Sequence, residues 1–185
     1  MLMREDVSEK LNYQDPFCSD CSRQFVICQQ ALVDLPSIGS IPLRAMVTNG
    51  AAFTFPITEV VPLIGPVEEP TINDQSLFTA VTLPAATSYT LKWRVPSLGK
   101  ATGFIVDVFT PHAFAQSVAM LQEARLSTAT TAITLPPNLL QSGTTYYITI
   151  TAITDGRANI ESSPNRLGFP AGNADVVSGA ITVAP

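Results

Sequence analysis

The run Leu140-Gln-Ser-Gly-Thr-Thr-Tyr-Tyr-Ile-Thr-Ile-Thr-Ala152 constrains this chain more than any other segment, because a turn residue, a tyrosine and a strictly alternating strand follow one another in order. Gly143 supplies a turn without steric cost. At period two, Tyr146, Ile148, Ile150 and Ala152 share one face, and Thr145, Tyr147, Thr149 and Thr151 share the other. A tyrosine at the start of such a strand can bury its ring and turn its hydroxyl back onto the preceding loop. The expected role of Leu140, Gly143 and Tyr146 is therefore structural, not catalytic.

Upstream, Ser88-Tyr-Thr-Leu-Lys-Trp-Arg-Val-Pro96 places Tyr89, Leu91 and Trp93 at alternate positions of another strand, which should stop at a proline unable to donate to a ladder. In Gly103-Phe-Ile-Val-Asp-Val-Phe109, Phe104, Val106 and Val108 alternate with Ile105, Asp107 and Phe109. Both faces are rather apolar, as expected of a central strand. Together, the tryptophan strand, the Gly-Phe-x-Val-x-Val run and the Leu-x-x-Gly-Thr-x-Tyr-x-Ile-x-Ile-x-Ala run resemble a fibronectin type III domain over about residues 76–170. The resemblance implies an all-β, fibronectin type III-like (Ig-like) β-sandwich in which Trp93, Phe104, Leu140, Gly143 and Tyr146 are structural. It implies strands at 77–83, 89–95 and 104–109, a strand or strand pair at 117–126, strands at 130–135 and 146–153, and a last one after Gly156, around Leu167. The segment from Thr110 to Ala119 reads as a long irregular loop, with His112 and Phe114 as candidate contacts.

The first 75 residues lie outside the resemblance. Residues 4–11 suit one short helix. Ile41 to Thr48, with Leu43, Ala45 and Val47 alternating against Arg44, Met46 and Thr48, precedes Asn49-Gly50 and then Ala51 to Phe55. Asn-Gly between two such runs predicts a hairpin over 41–55. Residues 1–65 then form an amino-terminal strand-rich extension, 66–75 a linker and 171–185 a carboxy-terminal tail. So short an extension has too few apolar anchors for its own core. It either packs on the sandwich, forms a small second sandwich with it, or acts as an arm that adds strands to a neighbouring subunit. Ile41, Leu43, Val47, Phe53 and Phe55 are its candidate contact residues.

Candidate chemistry is sparse. Cys18-Ser-Asp-Cys21 followed by Cys28 has metal-like spacing, but a closed tetrahedral site needs four ligands. The fourth would be His112, Asp20 or another chain. The competing readings are a disulfide from Cys28 to Cys18 or Cys21, or three reduced thiols; no cofactor is expected unless zinc or an iron-sulfur cluster occupies the thiols. The chain has one histidine and no Gly-x-Ser-x-Gly elbow, so hydrolase chemistry has little to stand on. Leu98-Gly-Lys-Ala-Thr102 lacks the upstream glycine of a phosphate loop and reads as a turn. The expectation is that the protein is not an enzyme.

With 185 residues, 15 prolines, 14% charged and 46% hydrophobic residues, the chain suits short strands and ordered loops. A net charge of -5 with no basic stripe argues against nucleic acid, and no apolar run approaches the ~20 residues of a membrane-spanning helix. The start, Met-Leu-Met-Arg-Glu-Asp-Val-Ser-Glu-Lys-Leu, carries no apolar signal-peptide core; taken as the native start, it predicts no classical secretion. Fibronectin-type domains of microbes occur on secreted enzymes, surface proteins and phage particles. The resemblance and the missing leader together imply a non-catalytic virion subunit of a tailed phage, a decoration, neck, tail or baseplate component. Its expected partners are other subunits of an assembly, its own copies included. The alternatives are a bacterial cell-surface or extracellular-filament protein, or an accessory module of a secreted carbohydrate-active enzyme.

Overall fold

The structure, a computed structural model, describes residues 24–35, 39–52, 62–114, 117–155, 161–162 and 171–185, with the backbone alone in 24–35, 39–52, 113–114 and 117. The described residues are all-β, without a helix, and form two sheets in a sandwich-like arrangement. No helix among them is long and apolar enough to cross a membrane.

The larger sheet is built on β10 (Thr145–Asp155). One edge of β10 pairs antiparallel with β7 (Gly103–Phe114), which in turn pairs with β8 (Ser117–Thr128). The other edge is shared by β11 (Ala171–Val177) and β12 (Ile181–Val183), and β12 pairs in parallel with β5 (Val81–Leu83). Beyond β11 the sheet continues through β2 (Gly39–Ala52) to β1 (Gln24–Leu35). The smaller sheet has the order β4-β3-β6-β9, comprising Gln75–Ser76, Glu68–Ile72, Thr90–Arg94 and Ala132–Thr134 in that order. In the β3–β4 hairpin, Asn73 and Asp74 both have positive φ (46° and 64°), the backbone a tight two-residue turn requires.

The core lies between the sheets. Leu91 and Trp93 from β6, Phe104, Val106 and Val108 from β7, and Tyr146, Ile148, Ile150 and Ala152 from β10 meet in one cluster with Leu83, Leu135, Leu140 and Ile181. Trp93 and Phe104 pack edge to face with ring centroids 5.3 Å apart, a geometry that adds roughly 0.5–1.5 kcal/mol to the area they bury. Two tyrosines clamp the entrances of their strands. The Tyr146 hydroxyl accepts from Gln141 N at 2.9 Å, which ties the strand to the loop that begins at the buried Leu140. The Tyr89 hydroxyl accepts from Ala86 N at 3.1 Å and donates to Pro84 O at 3.0 Å. Each ring thus fills the core while its polar end satisfies backbone that would otherwise be stranded.

Several elements differ from the sequence expectation. Asn49-Gly50 is not a hairpin turn: β2 runs straight through it, with Asn49 opposite Ile27 on one side and Gly172 on the other. The reversal falls instead between Leu35 and Gly39, which pair with each other. Pairing on both edges has overridden a strong local turn signal. The stretch expected as a linker, 66–75, carries β3, paired between β4 and β6, with a register shift between Glu68 and Thr71 and a left-handed Glu69 (φ 47°). The stretch expected as a tail, 171–185, supplies β11, whose alanines, glycine and asparagine hide its strand character until β10 pairs with it, and β12, whose three residues are too few to announce a strand before β10 and β5 pair with them. The expected irregular loop from Thr110 to Ala119 is a continuous hairpin, with β7 paired to β8 out to Phe114 and Ser117. The helix expected at 4–11 and the strand expected around Leu167 lie outside the described residues.

Two glycines test this packing. Gly99 has φ +78°, and a Cβ there would lie 2.1 Å from Leu63 O. Gly143 has φ +74° with open space around it. Gly99→Ala is therefore expected to cost about 3 kcal/mol or more, from a left-handed alanine plus a backbone clash, whereas Gly143→Ala costs about 1–2 kcal/mol from the backbone alone. Tyr146→Phe, which strips Gln141 N of its partner, is expected to lose about 1–2 kcal/mol. Urea unfolding of the three variants gives the order.

Candidate interaction surfaces

β2 joins the body of the molecule through four residues. Val47, Thr48, Asn49 and Gly50 pair with Ala174, Asn173, Gly172 and Ala171 of β11. From Gly39 to Met46, the pairing partners of β2 among the described residues lie in β1 alone. At ~3.3 Å per residue this is a two-stranded ribbon of roughly 25 Å. Its register sets Val33 opposite Leu43, Ala31 opposite Ala45 and Gln29 opposite Val47. Positions of one parity along β2 therefore read Ile41, Leu43, Ala45, Val47, against Val33 and Ala31 on β1. A two-stranded ribbon cannot cover both of its faces and is marginal in water by itself. Phe53 and Phe55, expected with this group, lie outside the described residues.

The second surface is the β7–β8 hairpin at the opposite margin of the same sheet. The register shifts between Val108 and Phe109: Val108 faces Ala124 and Phe109 faces Gln122, so Glu123 is the extra residue of a bulge. The buried Thr110 hydroxyl donates to Glu123 Oε1, and His112 Nε2 lies 3.2 Å from Thr110 Oγ1 and 4.0 Å from Glu123 Oε1. The imidazole and the carboxylate converge on one side of one hydroxyl, through a single ring nitrogen. That cross-strand network fixes the bulge; it lacks the relay geometry in which one ring nitrogen faces a nucleophile and the other a carboxylate. Phe114 ends β7, paired with Ser117, and Leu121 is an exposed apolar residue of β8.

Between the bulge and the core, Asp107 receives a bidentate pair from Arg125, Nε to Oδ1 at 2.7 Å and Nη2 to Oδ2 at 2.9 Å. The Asp107 side chain is 8% exposed and that of Arg125 54%, so the carboxylate is held inside and the guanidinium reaches in from the rim. The hydrogen bond from Asp107 raises the Arg125 pKa above its usual value; burial opposes this, and the charges of Asp107 and Asp175 add to it. Asp107 was visible in the sequence as a carboxylate within an apolar strand. Its partner, 18 residues away, becomes evident only from the register.

The cysteine cluster is not assembled in what is described. Cys28 lies on β1 opposite Thr48, and Cys18 and Cys21 lie outside the described residues. His112 and Cys28 stand on strands four pairing steps apart, β7-β10-β11-β2-β1, or roughly 19 Å, too far to share one ion within a chain. Among the described residues no three His, Cys, Asp or Glu side chains cluster to hold a metal. No protein-family model matches the sequence, and no curated protein matches it either.

Arg125→Met removes both donors from a buried carboxylate and is expected to cost about 1–3 kcal/mol. Lys92→Met, whose partner Asp74 is reached at 2.9 Å across an exposed surface, should change stability by no more than about 0.5 kcal/mol. Chemical denaturation of the two variants side by side measures the contrast.

Proposed function

We propose that this chain is a non-catalytic structural subunit of a tailed-phage virion, in a decoration, neck, tail or baseplate position, that engages other protein subunits including its own copies. The observation that carries this reading is the β1–β2 ribbon: a length of apolar β-structure attached to a stable body by four pairs of residues. Such a ribbon has more to gain from a partner than from solvent. The body is taken as a fibronectin type III-like sandwich. Support comes from the Tyr146 clamp, the Trp93–Phe104 contact and the parallel pairing of β5 with β12 beside a β8-β7-β10-β11 sheet. In this reading Trp93, Phe104, Leu140, Gly143 and Tyr146 hold the scaffold, while Ile41, Leu43 and Val47 on one margin and His112 and Phe114 on the other serve contact.

Mass spectrometry of particles purified from a lysate of the source culture tests the placement. The chain is expected at a fixed ratio to the major capsid protein, and the genes flanking its own are expected to encode capsid, portal or tail proteins. Absence from purified particles, together with accumulation at the cell surface, contradicts it.

A further inference from the structure

The margins of the two sheets are unequally protected. β4 and β9 have two and three residues, and β8 carries the Glu123 bulge and the Arg125 charge. Short strands, bulges and charges are the usual devices that keep an edge from recruiting another strand. In β11 the charge of Asp175 lies just past the segment Ala171-Gly-Asn-Ala174, which has no charge, lysine or proline and is covered by β2. The backbone pairing that fastens the cover is short. β1 and β2 are joined by eleven register pairs, but β2 and β11 by four, so the hairpin is the unit that would detach.

We infer that copies of this chain exchange the β1–β2 hairpin, β2 of one copy pairing through Val47 to Gly50 with Ala171 to Ala174 of its neighbour. The inference rests on the assembly-subunit reading above and adds the surface and the partner to it. A second copy fits because the edge of β11 already selects these four residues within one chain, and the exchanged pairing uses the same backbone register. Exchange therefore costs little beyond association itself, the usual economy of swapped elements. Among the described residues the chain next enters the core at Ile64, which is fully buried, and Gly65 N donates to Leu98 O at 2.9 Å. Between Ala52 and Pro62 the backbone can span at most roughly 35 Å, about the diameter of a small domain.

The test uses full-length chains. The background carries Cys18→Ser, Cys21→Ser and Cys28→Ser, because Cys28 lies opposite Thr48 on β1. In it, Thr48→Cys and Asn173→Cys alter two positions that face each other across β2 and β11. Each substitution is placed in a separately tagged chain; the two are co-expressed, oxidised, and mapped by peptide mass spectrometry. A chain carrying both substitutions serves as the reference for pairing within one copy. The expected result is a disulfide joining the introduced thiols of differently tagged chains, in a species that light scattering shows to contain more than one copy. A link formed in the doubly substituted chain but absent from the co-expressed pair overturns the inference. If the reference chain does not oxidise, a short bismaleimide replaces oxidation in both samples and the same comparison decides. An oligomer without the interchain link overturns exchange yet leaves the subunit reading standing; a link in a protein absent from particles does the reverse.

Discussion

The larger sheet and the core among the described residues are arranged around β10, a strand paired on both edges and buried on both faces. Its inward residues, Tyr146, Ile148, Ile150 and Ala152, fill the space between the sheets. Its outward Tyr147 is fully buried against Met120, Val177 and Ala180, and Thr149 and Ile153 are buried as well. Both edges are in use, β7 along one side and β11 followed by β12 along the other. A strand in this position cannot shift register by one residue without turning its isoleucines out of the core and its threonines into it. The Tyr146 hydroxyl on Gln141 N fixes where the strand starts, which removes the remaining freedom.

That fixed centre explains why the periphery can be adventurous. The division of one β10 edge between β11 and β12 requires a break, and Ser178 makes it: its backbone N–H donates to Ile148 O at 2.8 Å and its hydroxyl accepts from Ile148 N at 2.8 Å. The β10 ladder is thereby satisfied across the break, and β11 and β12 are free to serve different neighbours. β12 turns to β5; β11 presents its outer edge to β2. The larger sheet thus grows sideways from the sandwich at one margin and lengthens into the bulged β7–β8 hairpin at the other. Those two margins, not the core, are where the molecule departs from what a solitary sandwich needs.

How much of this the sequence disclosed follows from how local each signal was. β6, the start of β7 and β10 announce themselves, because apolar residues alternate within each and turn residues bound them, whereas β9 was expected from the family resemblance alone. Leu140, Gly143 and Tyr146 lie within seven residues of one another, so their cooperation was readable in advance. β3, β11 and β12 were hidden because their residues are poor strand formers or too few, and their conformation comes from neighbours distant in sequence. Asn49-Gly50 misled for the same reason in reverse: a strong local turn preference was outweighed by pairing on two edges at once. The candidate contact residues followed the same division. Ile41, Leu43 and Val47 could be grouped by period, whereas the pairing of Val47 to Gly50 with Ala171 to Ala174 could not be found without the sheet order. Likewise Thr110, His112 and Glu123 come together through a register shift that no spacing announces.

The most direct measurement is backbone hydrogen exchange on the intact chain, followed residue by residue. With β10 as the fixed centre and the ribbon as its lightly fastened extension, the amides of Ile148, Ile150 and Ala152 should exchange only with global unfolding. Those of β2 between Ile41 and Met46 should exchange by local opening at a far lower free energy in dilute protein, and become protected as concentration rises and partners engage. Uniform protection across β10 and β2 at every concentration would mean that the ribbon is a finished part of one rigid body, and would contradict the division between scaffold and contact arm.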